Sequence, residues 1–261
     1  MRTTWTQRLV RGGASGIAGG TAAAVVLWMA VEPVLSRAIA LEGAGADAHD
    51  HAGSEGAHSH SHEAGEVVTR LQQQIGGTLT VIIVAALMGL AFSVVYARSR
   101  HRLPGRTDLG KSTALGMLAF VVMALLPALV IPANPPGVGD PDTVNYRTLC
   151  YFVVIGLGVL VVGAAFGTQR FLERRGTSLG LTWLAVAAVA TLGAGAVLLF
   201  APGPADVVPG SVPAALLWDF RVGSLAQLGA MWGVIGLVHG AVTHRAEVAR
   251  PGAGRPMAVR A

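Results

Sequence analysis

Histidines are the residues of this chain best suited to chemistry, and five of the eight stand within fourteen positions. They are His49, His51, His58, His60 and His62, in the run HDHAGSEGAHSHSHE that starts at His49. Neutral imidazole is the commonest side-chain ligand for zinc, copper, nickel and related ions. In an extended segment, His-x-His sets successive rings on the same side, about 6.6 Å apart measured at Cα. Gly53, Gly56 and the neighbouring serines keep the loop flexible, so two or three rings can curl around one ion. Asp50 and Glu63 add carboxylate ligands, and Asp47, Glu55 and Glu66 add negative charge. The expected metal-ligating set is thus His49, Asp50, His51, His58, His60, His62 and Glu63, with no preformed geometry and no fixed choice of metal. Binding should be lost below about pH 6, where imidazole takes up a proton. The plainer reading is a solvated histidine-rich tract that meets metal only incidentally.

The elements that hold this loop are read from hydropathy. Of 261 residues, 52% are hydrophobic and 13% charged, with a mean hydropathy of +0.58. Soluble domains carry about 25% charged residues, so this is an integral membrane protein. Six stretches are long enough to cross hydrocarbon: Gly13–Val31, Ile75–Tyr96, Thr113–Ile131, Leu149–Gly167, Leu179–Phe200 and Val222–Val242. None has a charged side chain in its interior, as a helix in lipid requires. Arg2, Arg8 and Arg11 before the first stretch are compatible with a signal peptide, but its length and its Glu32-Pro33 ending favour retention.

Charge then orients the chain. Fifteen of the 19 basic residues fall before the first stretch, between stretches two and three, between four and five, or after the sixth. Eleven of the 14 acidic residues fall in the alternate segments. The positive-inside rule therefore puts both termini in the cytoplasm and the histidine-rich loop between helices 1 and 2 outside it. The expected architecture is all-α: one polytopic membrane domain over residues 1–261, with residues 40–70 a flexible His/acidic metal-binding loop in the plasma membrane's outer aqueous space. The pI of about 10.3 reflects these cytoplasmic arginines and not nucleic-acid binding. The single cysteine, Cys150, excludes an intramolecular disulfide and any cysteine-cluster metal site.

Polar residues near bilayer depth are costly, and so are functional candidates by default. Glu32 closes the first stretch where a captured ion would pass inward. Pro127 interrupts the third and releases backbone carbonyls that can line a path. Asp219 and Arg221 precede the last, placed to pair with each other only through bent side chains, and His239 lies near its cytoplasmic end. A transport path is expected through Glu32, Pro127, Asp219, Arg221 and His239; interfacial anchoring is the alternative for Asp219, Arg221 and His239. Gly12, Gly16 and Gly20, then Gly229/Gly233 and Gly236/Gly240, repeat the small-xxx-small spacing of close helix contact.

Gly105 to Ser112 match the phosphate-binding pattern G-x-x-x-x-G-K-[ST] letter for letter. That motif needs a buried strand delivering a turn to a helix N-terminus, whereas here a short basic loop joins two membrane spans. ATP hydrolysis is not expected. Nor does any span pair a nucleophile with a base, so the chain does not read as an enzyme, and no prosthetic group is expected.

Glu32-Pro33-x-x-x-Arg37-Ala38-Ile39 followed by the His/Asp-rich loop resembles the start of the CbtA family of predicted cobalt transporter subunits. Pro127-Ala-Leu-x-x-Pro132-x-x-Pro135-Pro136-Gly137, then Arg147, is similar to that family's third-span exit, and Leu217-Trp218-Asp219-Phe220-Arg221 with Ser224-Leu225 to the opening of its last span. The resemblance implies roles for Glu32, Pro33, Arg37, Pro127, Pro132, Pro136, Asp219 and Arg221. It also implies five spans, one fewer than hydropathy gives, and a small single-span CbtB-type partner; a homo-oligomer stays open. The expected function is uptake of Co2+, or of Ni2+ or Zn2+, across the plasma membrane, with the loop capturing the ion. The competing reading is a membrane-bound metal-binding or sensing module that does not transport.

Overall fold

Six helices make up the computed structural model, which describes residues 4–40, 69–136, 138–203, 210 and 212–249. They are α1 (Trp5–Ala40), α2 (Arg70–Ser99), α3 (Asp108–Val130), α4 (Val144–Arg174), α5 (Leu179–Phe200) and α6 (Ala214–Val248). All six are long and apolar enough to cross a membrane, and the described residues include no strand. In lipid every backbone amide and carbonyl must be satisfied within the segment, which an α-helix does by itself. The count agrees with hydropathy, not with the five spans implied by resemblance.

Only α5 begins and ends with its apolar stretch; α3 overruns its stretch at the start, and the other helices overrun theirs at both ends. α6 spans 35 residues, about 52 Å at 1.5 Å per residue, against a hydrocarbon core of about 30 Å. Caps explain two of the early starts. Thr4 and Gln7 bond each other's backbone N–H (3.3 and 3.4 Å) ahead of α1, and Thr69 and Gln72 do the same (3.3 and 2.8 Å) ahead of α2. Each is a Thr-x-x-Gln capping box, which satisfies two orphan amides and fixes the first turn.

Two helices carry a π-helical turn: Leu27–Val31 in α1 and Val121–Leu125 in α3. Each ends two residues before a proline, Pro33 and Pro127. Proline lacks an N–H and its ring crowds the carbonyl four residues back. Widening the turn ahead of it relieves that clash, and the Glu32 N–H accordingly bonds the Leu27 carbonyl, five residues back.

The chain divides into two compact units, and every division falls inside a helix. Unit 1 comprises residues 1–23, 81–121 and 228–261; unit 2 comprises residues 24–80 and 122–227. Unit 1 is built on glycine. A Cβ on Gly12 would lie 2.6 Å from the Gly89 carbonyl oxygen, and one on Gly16 2.4 Å from that of Ala85. A Cβ on Gly240 would lie 2.8 Å from Leu109 Cα, and one on Gly116 2.7 Å from the Trp232 oxygen. Backbone therefore meets backbone between α1 and α2 and between α3 and α6, the close approach that small residues permit in lipid. Gly233 is different, with open space around it, so the Gly229/Gly233 spacing marks no such contact.

Unit 2 is held by side chains. Leu126, Ile131, Cys150, Val154 and Val197 form one apolar core across α3, α4 and α5. Val34, Ala38 and Leu216 form another between the end of α1 and the start of α6.

Candidate functional site

Glu32 leaves the π-helical turn of α1 with its side chain only 14% exposed. A buried carboxylate must be paired or bonded, and both ligands come from the first turns of α2. Arg70 donates Nη2 to Glu32 Oε1 in a close salt bridge, and Gln74 donates Nε2 to the same oxygen at 2.8 Å. The second nitrogen of Arg70, Nη1, donates to Gln73 Oε1 at 3.3 Å. One turn on, Trp28 Nε1 donates to Thr78 Oγ1 at 2.9 Å. The end of α1 and the start of α2 are thus joined through Glu32, on either side of the segment that carries the histidine run.

Asp219 and Arg221 do not pair with each other. Asp219 Oδ2 accepts from Arg37 Nη2 at 3.1 Å, and both side chains are about half exposed. Arg221 turns to the chain after α3, donating Nε to the Ala133 carbonyl and Nη2 to Asn134 Oδ1, each at 3.1 Å. Helical periodicity sends residues two apart to different faces, so the two charges serve separate partners. Both also lie inside α6, two turns later than hydropathy implied.

Pro127 is buried, and its missing amide leaves acceptors one turn back without a helical donor. The Tyr151 hydroxyl from α4 fills the gap by donating to the Met123 carbonyl at 2.7 Å. Beside it opens a cleft of about 510 Å3 lined by Asn134, Arg147, Thr148, Tyr151 and Ser224 among apolar neighbours. No lining residue is His, Cys, Asp or Glu; the cleft offers hydroxyl, amide and carbonyl oxygens.

His239 belongs to unit 1, whereas Glu32, Pro127, Asp219 and Arg221 all belong to unit 2. Its ring is 3% exposed, lies edge-on to Phe92 and Tyr96 with centroids 5.3 and 4.9 Å away, and has Nδ1 3.3 Å from Ser112 Oγ. Nearby, Asp108 is almost fully buried, accepting from the Tyr96 hydroxyl at 2.6 Å and facing Arg100 Nη2 at 3.4 Å. Arg100 also meets Glu247 at 3.1 Å. Burial would lower the Arg100 guanidinium, but Asp108 and Glu247 outweigh that and hold it above its ordinary range. Sequence reading missed this cluster, because its members are spread from Tyr96 to Glu247 and none carries a local signature. Arg70 was more accessible: an arginine two residues before three glutamines, at the head of a span, is a donor set awaiting an acceptor.

The phosphate-loop look-alike has a local structural cause. Thr107 caps α3, accepting from the Gly110 N–H at 3.2 Å, so the helix N-terminus serves its own side chain. Gly105 adopts φ +127° and comes so near the chain that a Cβ would lie 2.9 Å from the Lys111 nitrogen. Helix α2, not a strand, precedes it.

His49, Asp50, His51, His58, His60, His62 and Glu63 lie outside the described residues. Among the described residues, no three His, Cys, Asp or Glu side chains come together as they would to hold a metal ion. Glu32 and Asp219 therefore act as single carboxylates, each already neutralised by an arginine.

Neither the curated proteins nor the solved structures contain a match to this chain. A family model does match, over residues 6–244, described as a probable cobalt transporter subunit, CbtA. That interval takes in all but the outermost residues of the six helices, and with them the Glu32, Pro127 and Asp219 segments. This multi-pass membrane protein belongs to the CbtA family.

Proposed function

We propose that the chain takes up Co2+ or a related divalent transition-metal ion across the plasma membrane, with the histidine-rich loop capturing the ion outside and Glu32 receiving it. The observation that carries this reading is the attachment of Glu32 to Arg70 and Gln74, the residues that follow the loop. An ion released from the loop meets a carboxylate at the loop's own roots. Arg70 neutralises that carboxylate while no ion is present. A divalent cation arriving there repels the guanidinium, which is 37% exposed and can swing toward water, leaving Glu32 and the Gln74 side-chain oxygen as ligands. Pairing is thus exchanged and not lost, which lowers the cost of bringing a charge to a half-buried site.

The asymmetry of basic residues supports termini in the cytoplasm and the loop outside. In that orientation a negative-inside potential drives a divalent ion inward by about 4.6 kcal/mol per 100 mV, a concentration ratio on the order of a thousandfold. A partner subunit accords with the family description, and a small single-span CbtB-type protein is the expected one.

Accumulation of radiolabelled Co2+ in metal-starved cells tests the reading, with the chain expressed alone and beside that partner. Uptake should exceed the empty-vector level, fall when the potential is collapsed, and drop at least tenfold in Glu32→Gln. Replacing the five loop histidines with alanine should raise the Co2+ concentration needed for half-maximal uptake while leaving the maximal rate. No uptake in either setting, with metal still bound by the purified protein, would instead establish a binding or sensing module.

A further inference from the structure

Between α1, α2 and α6, within unit 1, lies a small cavity lined mainly by basic and hydroxyl side chains. Its walls are Arg8, Arg11, Ser93, Tyr96, Ala97, Arg100, His239 and Thr243, with no carboxylate among them, and its volume is about 40 Å3. One water needs about 10–15 Å3 on this measure, so the space takes a group of roughly three water-sized atoms. We propose that this cavity is a binding site for a phosphate-type oxyanion.

The hydrogen-bond inventory points that way. Arg100 is shared between Asp108 and Glu247, but among the described residues Arg8 and Arg11 have no carboxylate partner. Arg8 rests on the Trp5 ring instead, at 5.1 Å. The Thr243 hydroxyl, in a residue 7% exposed, likewise has no protein partner among the described residues. His239 supplies a further donor. Ser112 is fully buried and its hydroxyl meets only His239 Nδ1. A buried hydroxyl keeps its hydrogen bonded, so Ser112 donates to Nδ1, and the neutral ring then carries its own hydrogen on Nε2. That nitrogen too lacks a protein acceptor among the described residues. Two guanidinium groups, a hydroxyl and an imidazole N–H thus surround one cavity with no carboxylate to receive them. Planar guanidinium forks match the oxygens of phosphate two at a time, and a tetrahedral oxyanion can serve several donors at once. Two sources supply that group: a phospholipid headgroup, since basic pockets between membrane helices take such groups, or a free phosphate in the aqueous phase.

The test uses the purified full-length protein in neutral detergent, with thermal unfolding followed on addition of phosphatidylglycerol, phosphatidylcholine or sodium phosphate. At least one phosphate probe should raise the unfolding midpoint of the wild-type chain by several degrees. Phosphatidylglycerol alone acting identifies the lipid headgroup as the source, and inorganic phosphate acting as well identifies the phosphate group itself. Arg11→Gln should lose most of the shift, while Arg106→Gln, equal in charge change but outside the cavity, should keep it. Thr243→Val, which keeps the side chain's shape, should lose part of it and serves if Arg11→Gln does not fold. No shift with any probe, or equal shifts in the Arg106 variant and in whichever cavity variant folds, would overturn the proposal.

Discussion

Unit 1 and unit 2 are made from the same helices by different means. In unit 1, glycines bring backbones into contact, and the charged cluster of Asp108, Tyr96, Arg100 and Glu247 is knitted from side chains at least partly withdrawn from solvent. In unit 2, the interfaces are made by larger side chains, a cleft opens beside α4, and both π-helical turns end there. A backbone contact has one geometry, because neither partner has a rotamer to change. The half-exposed Arg37–Asp219 pair can exchange partners at small cost, and Arg70, 37% exposed, can leave the more buried Glu32 toward water. The difference teaches where motion is to be sought: regions with fewer tight contacts open first, and here they include Glu32, Pro127, Asp219 and Arg221 but not His239.

The largest test of that contrast is a pair of glycines. Gly16→Ala puts a Cβ 2.4 Å from the Ala85 carbonyl oxygen, where the neighbour is backbone and cannot turn aside. Overpacking of this kind costs about 1–3 kcal/mol or more. Gly76→Ala meets open space in unit 2 and should gain up to about 1 kcal/mol from helix propensity. Unfolding in detergent should therefore move in opposite directions for the two variants. Equal shifts would break the comparison.

Next comes the proline in α3. Tyr151→Phe removes the donor to the Met123 carbonyl and should cost about 1–3 kcal/mol, the penalty of an unsatisfied buried acceptor. In a Pro127→Ala background the helix regains an amide of its own, and the same change should cost less. A double-mutant cycle measures the difference directly. Identical costs in both backgrounds would mean that the hydroxyl packs there without serving the carbonyl.

These tests also mark how far sequence carries. The six helices were legible because hydrocarbon leaves few alternatives, and the Gly12/Gly16/Gly20 contact because spacing of four fixes one face. Helix ends were not, since hydropathy reads the stretch in lipid and α6 runs on past it at both ends, through Asp219 and Arg221 at its start and His244 to Glu247 at its close. Both capping boxes were present as Thr-x-x-Gln and went unread. Glu32 was legible as a costly carboxylate, but its partner was not, because Arg70 lies 38 residues further along the chain. Asp219 and Arg221 misled by proximity: two residues apart in sequence, they point to different neighbours.

A smaller effect sharpens the role of Arg70. If the guanidinium yields Glu32 to the ion, Arg70→Gln removes a competitor, and the Co2+ concentration for half-maximal uptake should fall several-fold. Each tenfold change is about 1.4 kcal/mol, so the expected gain is near or below that figure. An increase instead would assign Arg70 to holding Glu32 in place for the ion.

The smallest effect belongs to Arg37 and Asp219. Their side chains are 57% and 44% exposed, and pairs of that kind couple by about 0.2–1 kcal/mol. A cycle of Arg37→Gln and Asp219→Asn should return a value in that range. It should shrink further at 1 M salt, where the screening length falls to about 3 Å. Arg221→Gln should cost more than either, since it leaves the Ala133 carbonyl and Asn134 without their donor. A coupling above about 2 kcal/mol, insensitive to salt, would mean that lipid or a partner subunit covers the pair. Unit 2 would then be clamped at this point as firmly as unit 1, and the search for a moving part would narrow to Glu32 and Arg70.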